Sequence, residues 1–216
     1  RAIAEISSVS GEVLVQKFIH GLHASIFLLT TSKNVKVLTI NEQLFGLHFF
    51  FQEEPFKYCG NIVPLHVANS IFKKCEHIAE KIALHFGLQG SSGIDLIISK
   101  EGTPYVVEVN PRFQGTFECV EKALGINLVE SHLNACLYGS LPNIKKKTSN
   151  FCTRLILYAP KRIIAPDLMN FREVRDIPLP GTVIEKGEPL CSIITEGKNR
   201  SFSFQKAIEF AKSIYN

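Results

Sequence analysis

Hydrophobic and polar positions change rhythm along this chain, and each change marks an element. Residues 13–19 (VLVQKFI), 24–31 and 35–40 are extended apolar runs, separated by His20-Gly21 and by a polar turn at 32–34. They predict three strands of an antiparallel meander. Residues 44–51 are very apolar, with His48 inside, and suggest a flap or a segment covering the sheet. From 67 to 86 the period lengthens. Val67, Ile71, Cys75, Ile78, Ile82 and Phe86 recur every three or four positions, and Lys73, Lys74, Glu76, Glu80 and Lys81 fill the other side. That spacing predicts a helix with one buried stripe, and Gly87 suits its C-terminal cap. Residues 1–10 suggest a short helix, or the tail of a loop and helix.

The pattern then returns to short strands. Residues 93–98 (GIDLII) and 103–109 (TPYVVEV) flank the turn-forming Ser99, Lys100, Glu101 and Gly102. They predict a β-hairpin. Each strand holds one carboxylate in an apolar setting, Asp95 and Glu108. With Glu101 and Gly102 at the turn centre, Asp95 falls opposite Glu108, and a slip of one residue would turn the two apart. Alternation places Glu108 and Asn110 on one face and Val107 and Val109 on the other. Pro111 keeps Asn110 extended. Arg112 follows with a planar donor fork suited to phosphate or carboxylate. Two carboxylates and an amide oxygen are hard ligands that suit Mg²⁺ or Mn²⁺ beside phosphates. A surface hairpin with scattered acids, or a structural ion network, is the competing reading. It accounts less well for charges inside apolar strands, which need a partner or a metal.

Beyond the hairpin, residues 117–124 read as a helix closed by Gly125. Asn127 and Glu130 form a capping box for a second helix, whose apolar stripe is Leu128, Val129, His132, Leu133, Cys136 and Leu137. A Lys-rich linker follows. After 150 the chain becomes short strands punctuated by Pro and Gly, chiefly 151–159 and 190–195. It ends in an amphipathic helix at 203–214, with Ala207, Ile208, Ala211 and Ile214 inward. The expected class is α+β: an antiparallel sheet with packed helices over 1–140, a linker at 141–150, and a small β-rich module over 151–216 ending in a helix. Of the basic residues there, Lys161, Arg162, Arg172 and Arg175 read as solvated, while Arg154 stands open between solvent and an anionic substrate.

Composition narrows the function classes. The 216 residues are 45% hydrophobic and 20% charged, ordinary for a globular domain. A net charge of +4 suits anionic ligands. No Lys/Arg block is long enough to argue for nucleic acid, and no apolar run approaches the roughly 18 residues of a membrane span. Six cysteines include no C-x-x-C pair, which argues against a zinc or Fe–S knot. The default is a reduced, cytoplasmic protein.

The string GIDLII…GTPYVVEVNPR resembles the metal-binding end of the ATP-grasp superfamily, in the carboligase-like branch related to biotin carboxylase and D-alanine–D-alanine ligase. The resemblance extends over about residues 11–139. It implies that Asp95, Glu108 and Asn110 hold Mg²⁺ (or Mn²⁺), two ions, against the phosphates of ATP. It implies that Arg112 contacts the transferred phosphoryl group or the acyl-phosphate. VLVQKFIHG resembles the family segment that joins two subdomains and holds adenine. There, backbone groups near Lys17, Phe18 and Ile19 would read the base. Gln16, standing where many relatives have glutamate, would contact adenine or help position the ribose. His23 either lies near the ribose or faces solvent.

Phe56, Tyr58 and Gly60 resemble a passage preceding the large helix, with the aromatics assigned to the core. Glu118 and Cys119 would shape the acceptor pocket. The C-terminal part resembles the β module after the family core and carries no biotinylation motif. The implied activity is an ATP-dependent carboxylate–amine ligase working through an acyl-phosphate on small-molecule carboxylates and amines, with a homodimer admitted. Alternatives are a thiol, bicarbonate or phosphoryl acceptor, or a nucleotide-binding regulatory module without turnover. Family members carry a lysine-bearing strand and a glycine-rich loop upstream. Neither occurs here and the chain begins at Arg1, so the C-terminal portion of a longer enzyme is expected.

Overall fold

The computed structural model describes residues 13–47, 55–144 and 150–215. The helix expected in residues 1–10 and the second half of the apolar segment at 44–51 lie outside them. Strands β1 (Gly21–Thr30), β2 (Val35–Phe45) and β3 (Tyr58–Val63) precede helix α1 (Asn69–His85). The hairpin β4 (Gly90–Ser99) and β5 (Pro104–Asn110) leads to α2 (Phe117–Leu124) and α3 (Leu128–Tyr138). Then come β6 (Phe151–Tyr158), the short β7 (Ile163–Ile164), β8 (Val174–Arg175) and β9 (Val183–Ile184), then β10 (Pro189–Gly197) and α4 (Arg200–Tyr215).

Eight strands form one antiparallel sheet in the order β5-β4-β1-β2-β3-β6-β10-β8, and β7 pairs with β9 apart from it. The α+β class expected from the pattern is the one observed. The sheet runs on past the expected linker, because β6 pairs with β3 from Gly60↔Leu155 to Val63↔Cys152. Of the C-terminal strands, β6, β8 and β10 therefore extend the first sheet, while β7 and β9 form a separate two-stranded one.

Alternation gives each sheet face its own core. On one face, α1 lays Cys75, Ala79 and Ala83 against Ala24, Ile26, Ile40, Ile94 and Leu96. Further along that face, α4 lays Ala207 and Ala211 against Ile62, Leu155 and Ile193. Small residues four apart let both helices approach the sheet closely. The larger residues of the expected α1 stripe flank this contact, and Phe86 points outward at 65% exposed. The opposite face packs Phe27, Leu29, Val63 and Cys152 under Cys119, Val120 and Leu128 of α2 and α3.

Two expectations fail for identifiable reasons. Residues 13–20 form no strand, and Leu14 and Val15 are largely exposed. An extended run becomes a strand by pairing, and no described strand lies beside this one. Helix α3 buries Leu128, Ser131 and Ala135, so Val129, Leu133 and Leu137 of the expected stripe face outward. Its orientation is set by polar ties. The Asn127 side chain accepts the Glu130 amide at 2.8 Å, the Glu121 carboxylate accepts the Leu128 amide at 2.7 Å, and His132 Nδ1 accepts the Ser91 amide of β4 at 2.9 Å. Among the described residues no helix is long and apolar enough to cross a membrane.

Candidate functional site

The hairpin reaches its register by an irregularity that alternation alone does not supply. Near the turn Ile98 pairs with Pro104 and Leu96 with Val106. Continued without a break, that register would set Asp95 against Val107. Instead β5 carries one extra residue there, so Asp95 pairs with Glu108 and Gly93 with Asn110. The uninterrupted register expected from the turn is corrected by this bulge, a device that bends a strand and re-aims its side chains. The two carboxylates still meet, as the sequence suggests.

Asp95 is half-buried. Burial raises its carboxyl above the usual range and the Glu108 charge pushes the same way, while the Gln43 amide and the Arg112 guanidinium act against them. Glu108 is exposed and Asn110 buried. Among the described residues no three His, Cys, Asp or Glu side chains gather as a metal site. The donor set here is two carboxylates and an amide oxygen. These hard oxygens, with one carboxylate held partly out of water beside another, fit a divalent cation such as magnesium.

The loop after β5 is tied down at several points. The Gln114 amide donates to the carbonyls of Asn110, at 3.0 Å, and of Arg112. Its side chain covers Gly93, where a Cβ would stand 2.3 Å from Gln114 Cδ. The Phe113 ring lies 4.8 Å from Phe117 and 4.8 Å from His132. Arg112 between these anchors is exposed, and its Nη1 donates to the Phe113 carbonyl at 3.1 Å.

The same sheet face continues as a polar row toward β6. Ser25 pairs with both Asp95 and Asn41, Gln43 pairs with Asn61, and Asn61 pairs with Arg154. Ser25, Asn41 and Asn61 are buried. Arg154 is not a solvated cation. Its Nη1 donates to the Gly115 carbonyl at 2.9 Å, and its Nη2 donates to Ser192 Oγ at 3.1 Å and to Asp176. Asp176 adopts a left-handed φ of 55° and also accepts from Ser192 Oγ. Arg175, read as solvated, instead grips Glu118 through Nε at 3.0 Å and Nη2 at 2.6 Å. Cys119 is fully buried in the core under α2.

The expected adenine segment lies apart from regular structure. Gln16, Lys17 and Phe18 are exposed and Ile19 is half-buried. The Phe18 ring stands 4.7 Å from His20 and 6.3 Å from Phe56. His23 is half-buried, 4.7 Å from the Phe45 ring, on the same strand face as Ser25. Gln43, Asn61, Asp176 and Ser192 were not singled out from the sequence. Asn41 and Gln43 carry a signal that could have found them: polar residues two apart within an apolar strand share a face.

The raised Asp95 carboxyl has a stability consequence. A carboxyl whose folded pKa lies above its unfolded value costs stability once both states are ionised. The cost fades as the pH falls through the folded value toward the ordinary aspartate range. Asp95→Asn should therefore raise the melting temperature of the metal-free protein at neutral pH, with a gain that shrinks on acidification. Melts across this range that coincide with wild type would contradict the assignment.

The comparisons with known proteins bear on the family and the fold. The family model described as an ATP-grasp domain matches residues 2–116, and the chain belongs to that family. It is similar to an uncharacterized protein of Methanocaldococcus jannaschii, 31% identical over 159 residues, covering 72% of this chain and 39% of that one. Among solved structures it is similar to an L-amino acid ligase from Bacillus licheniformis, with a TM-score of 0.70 and 21% identity, covering 89% of this chain and 52% of that chain. It is also similar to the biotin carboxylase domain of Hydrogenobacter thermophilus 2-oxoglutarate carboxylase, whose structure holds MgADP, ADP and bicarbonate. There the TM-score is 0.72 and the identity 16%, covering 96% of this chain and 50% of that chain. At these identities the two structures share the fold. The chain thus spans about half or less of the length of the proteins it matches.

Proposed function

We propose that this chain supplies the metal- and phosphate-binding end of an ATP-dependent carboxylate–amine ligase that works through an acyl-phosphate. The observation that supports it best is the bulged hairpin, which sets Asp95 against Glu108 and carries Asn110 and Arg112 on from the same strand. Asp95, Glu108 and Asn110 would hold magnesium, with Gln43 orienting the Asp95 carboxylate. Bound there, the metal would neutralise phosphate charge and align the reacting groups. Arg112 would sit against the transferred phosphoryl group, where preorganised positive charge favours the transition state. The backbone around Lys17, Phe18 and Ile19, with Gln16 and His23, forms the adenine and ribose side in this reading. Residues 1–140 then carry the nucleotide, and 151–216 contribute Arg154 to the substrate side.

Arg112 separates this reading from simple nucleotide binding. Arg112→Ala should lower ADP release with a productive carboxylate–amine pair by roughly 10²–10³-fold, while affinity for a non-hydrolysable ATP analogue changes little. Turnover at the wild-type rate, or equal losses in affinity and turnover, would remove Arg112 from the reacting group.

A further inference from the structure

We propose that Arg175, through its two-pronged grip on Glu118, is a positioning residue for Arg112. What Arg112 touches comes from the ligase reading, on which this assignment rests. How Arg112 is held is a matter of geometry alone. Arg112 is exposed, and its Nη1 donates to the carbonyl of the next residue, Phe113, at 3.1 Å. A side chain tied to its own loop goes where that loop goes. The upstream end of the loop is fixed by β5, onto which Gln114 folds back through the Asn110 carbonyl. The downstream end is the first turn of α2.

That turn is not anchored in the usual way. A capping side chain commonly satisfies the first amides of a helix, but Thr116, at the cap position of α2, makes no such bond. The anchor is Glu118, the acidic residue of the first turn. Arg175 Nε donates to its Oε2 at 3.0 Å and Arg175 Nη2 to its Oε1 at 2.6 Å. Where the family resemblance implied a place in the acceptor pocket, the Glu118 carboxylate is instead engaged by Arg175. The guanidinium is itself preset by its own chain, since Nη1 donates to the Arg172 carbonyl at 2.6 Å and the Val174 carbonyl at 2.8 Å. A fork held in this way meets a carboxylate in one geometry.

The route from Glu118 to Arg112 is short. Phe117, just before Glu118, lies ring to ring 4.8 Å from Phe113, whose carbonyl holds the Arg112 side chain. The Phe117 amide also donates to the Gln114 carbonyl at 3.0 Å. A shift of the first turn of α2 therefore moves Phe113, and Arg112 with it. The residue after Arg175 steadies the same loop at a second point. Asp176 accepts from Arg154 Nη2, and Arg154 Nη1 donates to the Gly115 carbonyl at 2.9 Å. Asp176 holds a left-handed φ of 55°, a strain that persists only where the surroundings over-determine it. Two consecutive residues thus hold the loop at 115 and at 118, and β8 is placed by the pairing of Arg175 with Ser192 of β10.

The test uses the full gene product. Arg175→Lys keeps the charge and loses the fork, and Glu118→Gln is a second variant that keeps the shape and loses the charge. A thermal melt of each checks that the fold is intact. In ¹⁵N spectra of the free protein, the Arg112 and Phe113 amide resonances should move in both variants. Two probes then read the consequence: MgADP with aluminium fluoride, which mimics the phosphoryl group in transfer, and Mg²⁺ with a non-hydrolysable ATP analogue. Arg175→Lys should weaken the fluoroaluminate complex by about tenfold or more and leave affinity for the analogue almost unchanged. Made on top of Arg112→Ala, the same substitution should cost little more, because the two residues act as one unit. A pair that only stabilises the fold would weaken both probes alike and would do so with or without Arg112. That result, or Arg112 and Phe113 amides unmoved in both variants, overturns the proposal. The ligase reading is tested separately by Arg112→Ala alone. If that variant binds the fluoroaluminate complex as wild type does while the amides still move in Arg175→Lys, the role of Arg112 at the phosphoryl group falls and the positioning stands. If it weakens the complex and the amides do not move, only the positioning falls.

Discussion

Glu108→Ala should lower magnesium-dependent turnover by roughly 10²–10³-fold and leave the fold in place. The two halves of this expectation have separate origins. Glu108 is exposed on β5, which lies at the edge of the sheet. Its removal opens no cavity and strands no buried partner, so stability should stay within about 0.5 kcal/mol. Relief of its repulsion on Asp95 even acts in the favourable direction. The functional half comes from the donor set. Without Glu108, one carboxylate and one amide remain to hold the cation against the phosphates, too little charge for a hard divalent ion. ADP release assayed beside a thermal melt checks both halves. A folded variant with wild-type turnover would remove Glu108 from the metal site, and a collapsed melt would make it structural.

Gly60→Ala is expected to be the most damaging single methyl group in the sheet. Gly60 has a φ of +131°, and an added Cβ would lie 1.9 Å from the Arg154 carbonyl oxygen. The obstacle is backbone, so no side-chain rotation relieves it. Backbone strain of about 1–3 kcal/mol adds to an overpacking cost of about 1–3 kcal/mol. For a domain of this size that is a fall of roughly 10 °C in melting temperature. Gly60 also stands where β3 meets β6, the pairing that joins the first five strands of the sheet to the last three. The same substitution should therefore displace Arg154 from Asn61. A melt within a degree or two of wild type would mean that the two strands meet differently.

The hairpin end of the candidate site was legible in the sequence because its residues are local. Asp95, Glu108, Asn110 and Arg112 lie within 18 consecutive residues, and a hairpin brings such residues near one another. Even so, the bulge at Val107 was not readable, since one unpaired residue leaves no mark on a pattern of apolar and polar positions. Helices α2 and α4 and strands β6 and β10 were legible from their apolar pattern, and Gly125 closes α2 in the left-handed conformation. Helix α3 was not. Its expected stripe carried the large apolar residues, while the sheet took the smaller face of Leu128, Ser131 and Ala135.

The far end of the polar face was less visible for a different reason. Tyr58, Asn61, Arg154, Asp176 and Ser192 span more than half the chain and meet only once β3, β6, β8 and β10 are placed side by side. No local spacing encodes that meeting. Residues 13–20 illustrate the reverse case. Their composition suits a strand, and a strand still needs a neighbour.

We propose a magnesium-dependent nucleotide site on the Asp95–Glu108 hairpin. The measurement that tests it most directly is calorimetric titration of a non-hydrolysable ATP analogue into the full gene product, with and without Mg²⁺. Binding should strengthen markedly with Mg²⁺ and lose that dependence in Glu108→Ala. Absence of binding to well-folded protein, or binding indifferent to both Mg²⁺ and Glu108, would contradict it.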